Sequence, residues 1–266
     1  MTEPQRIVSL VPSHTETLHG LGLADRVVGR TRFCIHPEPW VATLPIVGGT
    51  KDAKLERIQE LRPDLVVADK DENPKALVDA LTATGIEVLW SDIATIDDAA
   101  AFVLRLAERC GGPAPEAAAR WEGELQQARR QGGAGAPIPV FCPIWFDPWM
   151  TFNGTAYPSA MLAAAGLRNV FAERPADPRY FAVTAEEVAA AGARWSLLPT
   201  EPYPFHRRRE AVSTTALGTC GQPERVRIVD GEALTWFGMR TLPGLRELRR
   251  VATELRAVEA AARDLS

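Results

Sequence analysis

The sequence has few cysteines, no long apolar run and no surplus of one charge, and each shortage removes a class of protein. Its 266 residues include four cysteines, Cys34, Cys110, Cys142 and Cys220, far apart and without a CxxC pair. That spacing excludes a zinc knuckle or a dithiol redox motif. An even count permits disulfides in an exported chain, but free thiols are the simpler expectation in a reducing compartment. No apolar stretch approaches the ~20 residues of a membrane span, so no membrane insertion is expected. Thirty basic residues against 34 acidic ones leave a formal net charge of -4. That balance offers no case for nucleic acid or for an anionic membrane surface. The start, Met1 to Arg6, runs straight into an apolar segment, without the basic region, long apolar core and cleavage site of a secretory leader. As written, the chain is expected to be cytoplasmic; a removed leader would make it periplasmic or cell-surface.

What is present reads as an ordinary globular α/β protein, 46% hydrophobic and 24% charged. The length predicts two lobes or one large unit. In the first half, strands at Ile7–Val11, Val27–Gly29, Leu65–Ala68 and Ile86–Trp90 alternate with helices near Thr15–Leu21, Leu55–Leu61, Pro74–Thr84 and Ile96–Cys110. Strands separated by helices imply a mostly parallel sheet with helices on its faces. Residues 111–115 break the chain, and Glu116–Gln131 then reads as one long amphipathic helix. A small-residue linker, Gly132–Pro139, follows.

The second half repeats the plan: a strand at Val140–Ile144, a helix at Tyr157–Ala165, strands at Trp195–Leu198 and Arg225–Val229, and a closing helix at Pro243–Ala262. Thr184 and Glu187 form a capping-box pattern. The expected division is an N-terminal lobe over 1–112, a connecting helix and linker over 113–137, and a C-terminal lobe over 138–266. A weak internal repeat links the halves. Lys54-Leu55-Glu56-Arg57-Ile58 precedes the strand at Leu65, and Ala185-Glu186-Glu187-Val188 precedes the strand at Trp195.

Several blocks carry a family likeness. Arg6-Ile7-Val8-Ser9-Leu10-Val11-Pro12-Ser13-His14-Thr15-Glu16 resembles the opening of the helical-backbone substrate-binding proteins of ABC importers, and among them the vitamin B12-binding proteins. Val27-Val28-Gly29, Leu55-Glu56-Arg57-Ile58, Leu61-Arg62-Pro63-Asp64-Leu65-Val66, Gly85-Ile86-Glu87-Val88, Ala165-Gly166-Leu167-Arg168-Asn169-Val170-Phe171 and Thr235-Trp236-Phe237 continue it in order. The resemblance implies two α/β lobes, each with a mostly parallel sheet, joined by one stiff helix, with a ligand in the cleft between them and limited closure on binding. It implies a non-enzymatic binding protein, a monomer without intrinsic cofactor, whose ligand is a metal chelate, with a corrinoid such as cobalamin first. It also implies docking of Glu56 and Glu186 to an ABC permease; the alternative is that both acids merely favour a helix dipole.

Ligand contacts are expected on strand-to-helix loops, where parallel sheets bind ligands. Ser13 and His14 occupy the first such loop. His14 could ligate iron or cobalt, or simply cap and pack. In the next loop Phe33 offers an aromatic contact. Cys34 and His36 at i, i+2 could face the cleft together and, with His14, hold a metal if the loop is extended; structural packing of Cys34 is the rival. Thr50 and Asp69 stand where the resemblance implies tryptophans, which makes this wall polar, and Lys51 could meet an acidic edge group. In the second half Trp145 and Trp149 concentrate aromatics in one loop, and Tyr180 stands where the family has a ligand-contacting tryptophan. Trp236 and Arg240 lie before the closing helix, Arg240 suited to a bidentate contact. For Trp145 and Trp236, burial between the lobes is the alternative. Rival functions are a haem or ferric-siderophore binder, a cytoplasmic enzyme of cofactor handling, or a plain interaction module. The enzyme would need a nucleophile with a base or paired carboxylates in opposed roles, and nothing fixes such roles here.

Overall fold

A computed structural model describes residues 2–131, 135–219 and 223–264. Cys220 and part of the 132–139 linker lie outside the described residues. The chain divides into two compact units. The first holds residues 1–93, 97–125 and 237–240; the second holds 94–96, 126–236 and 241–266.

In the first unit, β1 (Ile7–Ser9), β2 (Val27–Arg30), β3 (Leu65–Asp69) and β4 (Glu87–Ser91) form one parallel sheet in the order β2-β1-β3-β4. The connections carry α1 (Pro12–Gly20), α2 (Leu55–Glu60) and α3 (Lys75–Ala83), and α4 (Ile96–Cys110) follows β4. β3 is a near-continuous apolar run because both faces of a helix-covered parallel strand are buried, and all five of its residues are. Its side chains pack with Val8, Leu10, Ile58, Val78 and Leu81. α1 starts three residues earlier than the apolar spacing predicts. Pro12 supplies a fixed φ at the first turn, where its missing N–H costs nothing. The long helix, α5 (Ala114–Arg130), passes from the first unit's residues to the second's between Leu125 and Gln126.

The second unit has its own parallel sheet, in the order β10-β9-β5-β7, built from β5 (Ile138–Phe141), β7 (Leu167–Asn169), β9 (Trp195–Pro199) and β10 (Val226–Val229). A separate antiparallel pair, β6 (Met150–Phe152) with β8 (Tyr180–Ala182), was not foreseen. Each strand is only three residues long, too short for an alternation pattern to register. The helices are α6 (Tyr157–Ala164), α7 (Ala185–Ala190), α8 (Arg209–Thr219), α9 (Gly231–Thr235) and the closing α10 (Thr241–Asp264). Two distinct parallel sheets with flanking helices match the expected fold class.

The capping box forms as read: Glu187 N–H donates to Thr184 Oγ1 at 3.2 Å, and Thr184 N–H to Glu187 Oε2 at 2.9 Å. Thr184→Ala is expected to lower stability by about 1 kcal/mol, measured by urea unfolding. An unchanged midpoint would mean that the helix start is held by packing alone.

Candidate functional site

The carboxyl ends of β1, β3 and β4 carry the polar centre of the first unit. His14, in the first turn of α1, is fully buried between aromatic rings. Phe102 stacks at 4.5 Å between centroids and Phe237 lies tilted at 5.1 Å. Its Nε2 sits 2.9 Å from Ser91 Oγ, and Ser91 Oγ sits 2.5 Å from Asp69 Oδ2. A carboxylate can only accept, so Ser91 donates to Asp69 and its oxygen receives the His14 Nε2–H. His14 Nδ1 then remains without a partner, as observed. Burial drives His14 down to about 3, against a backbone bond at Ala68 that raises it. Burial drives Asp69 up to about 6, against bonds from Ser91 and the Asp71 N–H and helped by the charges of Asp71 and Glu72.

Asn73 ties the neighbouring loops together. Its Oδ1 accepts from Asp69 N–H at 2.9 Å, and its Nδ2 donates to Thr50 O at 2.9 Å and Leu10 O at 3.3 Å. Ser13, Thr50 and Asp69 are buried, with at most 8% of their surface exposed. Lys51 is exposed and donates to the Asp71 carbonyl. Ser91 escaped the sequence reading. Ser91 did carry a signal, a small hydroxyl closing an apolar strand.

The 31–36 loop turns, because Cys34 N–H donates to Thr31 O at 3.2 Å. Phe33 and Ile35 are exposed, Cys34 is fully buried against Thr31 Oγ1 at 3.1 Å, and His36 is half-buried. Among the described residues no three His, Cys, Asp or Glu side chains gather to hold a metal ion. The structure thus does not bring His14, Cys34 and His36 together, since His14 is enclosed by rings and Cys34 by hydroxyls. Cys34, Cys110 and Cys142 are free thiols in the interior. Arg240, in the 237–240 segment, pairs with Glu16 at 2.8 Å.

In the second unit Trp145 is 45% exposed and meets Tyr203 edge-on, with ring centroids 5.2 Å apart. The backbone holds it in place: Ile144 N–H donates to Met150 O at 2.8 Å and Met150 N–H to Trp145 O at 3.2 Å. Trp149 turns the other way, into the cluster around Phe141 and Phe171. Tyr180 is half-buried on β8. Trp236 is buried and bonds Glu201, whose carboxyl also accepts from Thr235 Oγ1 at 3.0 Å. Burial pushes Glu201 up to about 7, against those bonds and helped by Glu232 and Asp230. Tyr203 and Glu201, just after β9, were also missed.

Glu56 and Glu186 are both exposed, and each is the second residue of a six-residue helix. In each case a fully buried five-residue strand begins ten residues after the helix does.

The family model for periplasmic binding proteins matches residues 7–200. The chain belongs to the periplasmic binding protein family. A relative in this family, the vitamin B12-binding protein of Photorhabdus laumondii, is 34% identical over 176 residues, 65% of this chain. The match spans 63% of that relative's length. Among solved structures, the periplasmic vitamin B12-binding protein BtuF of Vibrio cholerae superposes with a TM-score of 0.80 at 24% identity, over 93% of this chain and 96% of its own. The periplasmic haem-binding protein RhuT of Roseiflexus sp. RS-1 gives 0.77 at 25%, over 92% and 96%. The family and these neighbours are binding proteins.

Proposed function

We propose that this chain binds a metal-containing chelate, a corrinoid before others, on the loops at the carboxyl edges of its parallel sheets, and presents it to an ABC permease through Glu56 and Glu186. The observation that carries the ligand reading is Trp145, a large aromatic half in solvent yet fixed by Tyr203 and by backbone bonds. A core role would bury it. A flat macrocycle needs such a platform, held before the ligand arrives. Phe33, with the Arg32 guanidinium 5.3 Å from its ring, offers a second exposed face. The names of the relatives above support a corrinoid. The exposed charges of Arg32, Lys51 and Lys70 favour a ferric chelate with acidic edges as the second reading. An enzymatic role has no support in the buried His14–Ser91–Asp69 chain, whose hydroxyl is enclosed and already donated.

Calorimetric titration with cobalamin, cobinamide and haem tests the proposal. Micromolar or tighter binding of at least one is expected, and Trp145→Ala should weaken it by ~10- to 100-fold, the loss of one aromatic contact. If none binds, the chelate reading falls. Fractionation of cells making the untagged chain separates import, which requires the periplasm, from storage or handover in the cytoplasm.

A further inference from the structure

Two arginines two residues apart meet opposite fates. Arg32 is exposed and pairs with Asp52 at 2.8 Å. Arg30, the last residue of β2, is 9% exposed and faces no carboxylate of the described residues within ion-pair distance. Its Nη1 donates to the carbonyls of Thr31 at 3.1 Å and Cys34 at 3.0 Å. Its Nε is buried without a partner. The neighbours are neutral. Ser9 lies beside it in the sheet register, and the Cys34 sulfur is bonded by the Thr15 and Thr31 hydroxyls. Burial pushes the Cys34 thiol up, so it supplies no counter-charge at neutral pH.

A buried guanidinium without a counter-ion is costly, and a native fold retains one where something else neutralises it. One edge of the fork is taken by carbonyls. The edge that includes Nε is the one a two-oxygen anion meets side-on. The residue also closes a strand at the carboxyl edge of a parallel sheet, where ligands of such sheets bind.

We propose that Arg30 is an anion subsite that receives a carboxylate or phosphate group through its Nε edge, either as a free ion or as a group on the rim of a bound chelate. The second source rests on the chelate reading; the first does not.

Thermal melting in acetate, phosphate and chloride at matched ionic strength tests the free-ion source. The wild-type protein is expected to melt several degrees higher in acetate or phosphate than in chloride. Arg30→Met should lose that difference and melt no lower than wild type in chloride, because it removes an uncompensated buried charge. Arg30→Lys, which keeps the charge without the fork, should retain only part of the difference. The rim source is read by titrating ferric protoporphyrin IX, which carries propionates, against cobinamide, whose rim is amides. Arg30→Met should weaken the porphyrin ~10-fold or more and leave cobinamide unchanged. If neither chelate binds, only the chelate reading fails, and the melting arm still decides for Arg30. Equal anion-dependent shifts and equal affinities in wild type and Arg30→Met would overturn the subsite and leave Arg30 as a brace for the 31–34 turn.

Discussion

Asp69→Asn is expected to lose stability relative to the wild-type protein as the pH drops from about 6 to about 4. The reason is that His14 and Asp69, joined through Ser91, respond to acid in opposite directions. His14 titrates near 3 in the fold, against an ordinary value of 6.5. A proton therefore favours the unfolded chain, and the stability His14 contributes is complete above 6.5 and lost as the pH falls toward 3. The slope is about 1.4 kcal/mol per pH unit, and the whole loss is on the order of 4–5 kcal/mol. Asp69 is raised from 3.8 to about 6. The fold binds its proton first, so Asp69 adds stability as the pH falls from 6 to 3.8, on the order of 3 kcal/mol.

Over pH 6 to 4 the two slopes offset each other. Asparagine keeps the size and an acceptor for the Asp71 N–H but removes the second titration. Urea unfolding of both proteins at pH 4 to 7 measures the difference, and other titrating groups cancel between them. Parallel stability curves would show that Asp69 does not take up a proton in this range.

Charge reversal at both proposed docking positions, Glu56→Arg with Glu186→Arg, is expected to abolish delivery while chelate affinity stays at the wild-type value. Each glutamate is exposed at the second position of its short helix, so neither substitution opens a cavity or strands a buried partner. On the proposed docking, losing two acidic contacts to a basic permease surface costs association directly, and the new like charges add repulsion. Single reversals should give intermediate losses, since the glutamate of the other unit is left unchanged. Glu186 also contributes to the acidic first turn of α7, so Glu186→Gln separates helix weakening from docking: it keeps the fold with only a few tenths of a kcal/mol of change. The readout is uptake of labelled cobalamin by cells in which the wild-type chain supports it. Undiminished uptake by the double variant would remove these residues from any permease contact.

The site shows where sequence reading stops. His14 and Trp145 were both singled out as loop residues after strands, yet one is fully enclosed and the other stands half in solvent. Their neighbours in sequence do not tell them apart. His14 is decided by Phe102, Ser91 and Phe237, at sequence separations of 77 residues and more. Cys34 and His36 could share a face only in an extended loop, and one local bond, Cys34 N–H to Thr31 O, turns that loop. Arg240 was read as able to meet a ligand edge, and the structure pairs it with Glu16 near the other end of the chain.

By itself the sequence determined the alternation of strands and helices, the long α5, the Thr184 capping box and the placing of Glu56 and Glu186 at matching helix starts. These follow from apolar periodicity, proline and glycine punctuation and first-turn chemistry, all written within a few residues. Only the tertiary structure decided which polar side chains at the strand ends turn inward, that Ser91 bridges an imidazole and a carboxyl, and that Arg30 is buried without a carboxylate among the described residues. Those outcomes depend on which distant groups share one dry space, where a hydrogen bond or a charge counts for far more than it does in water.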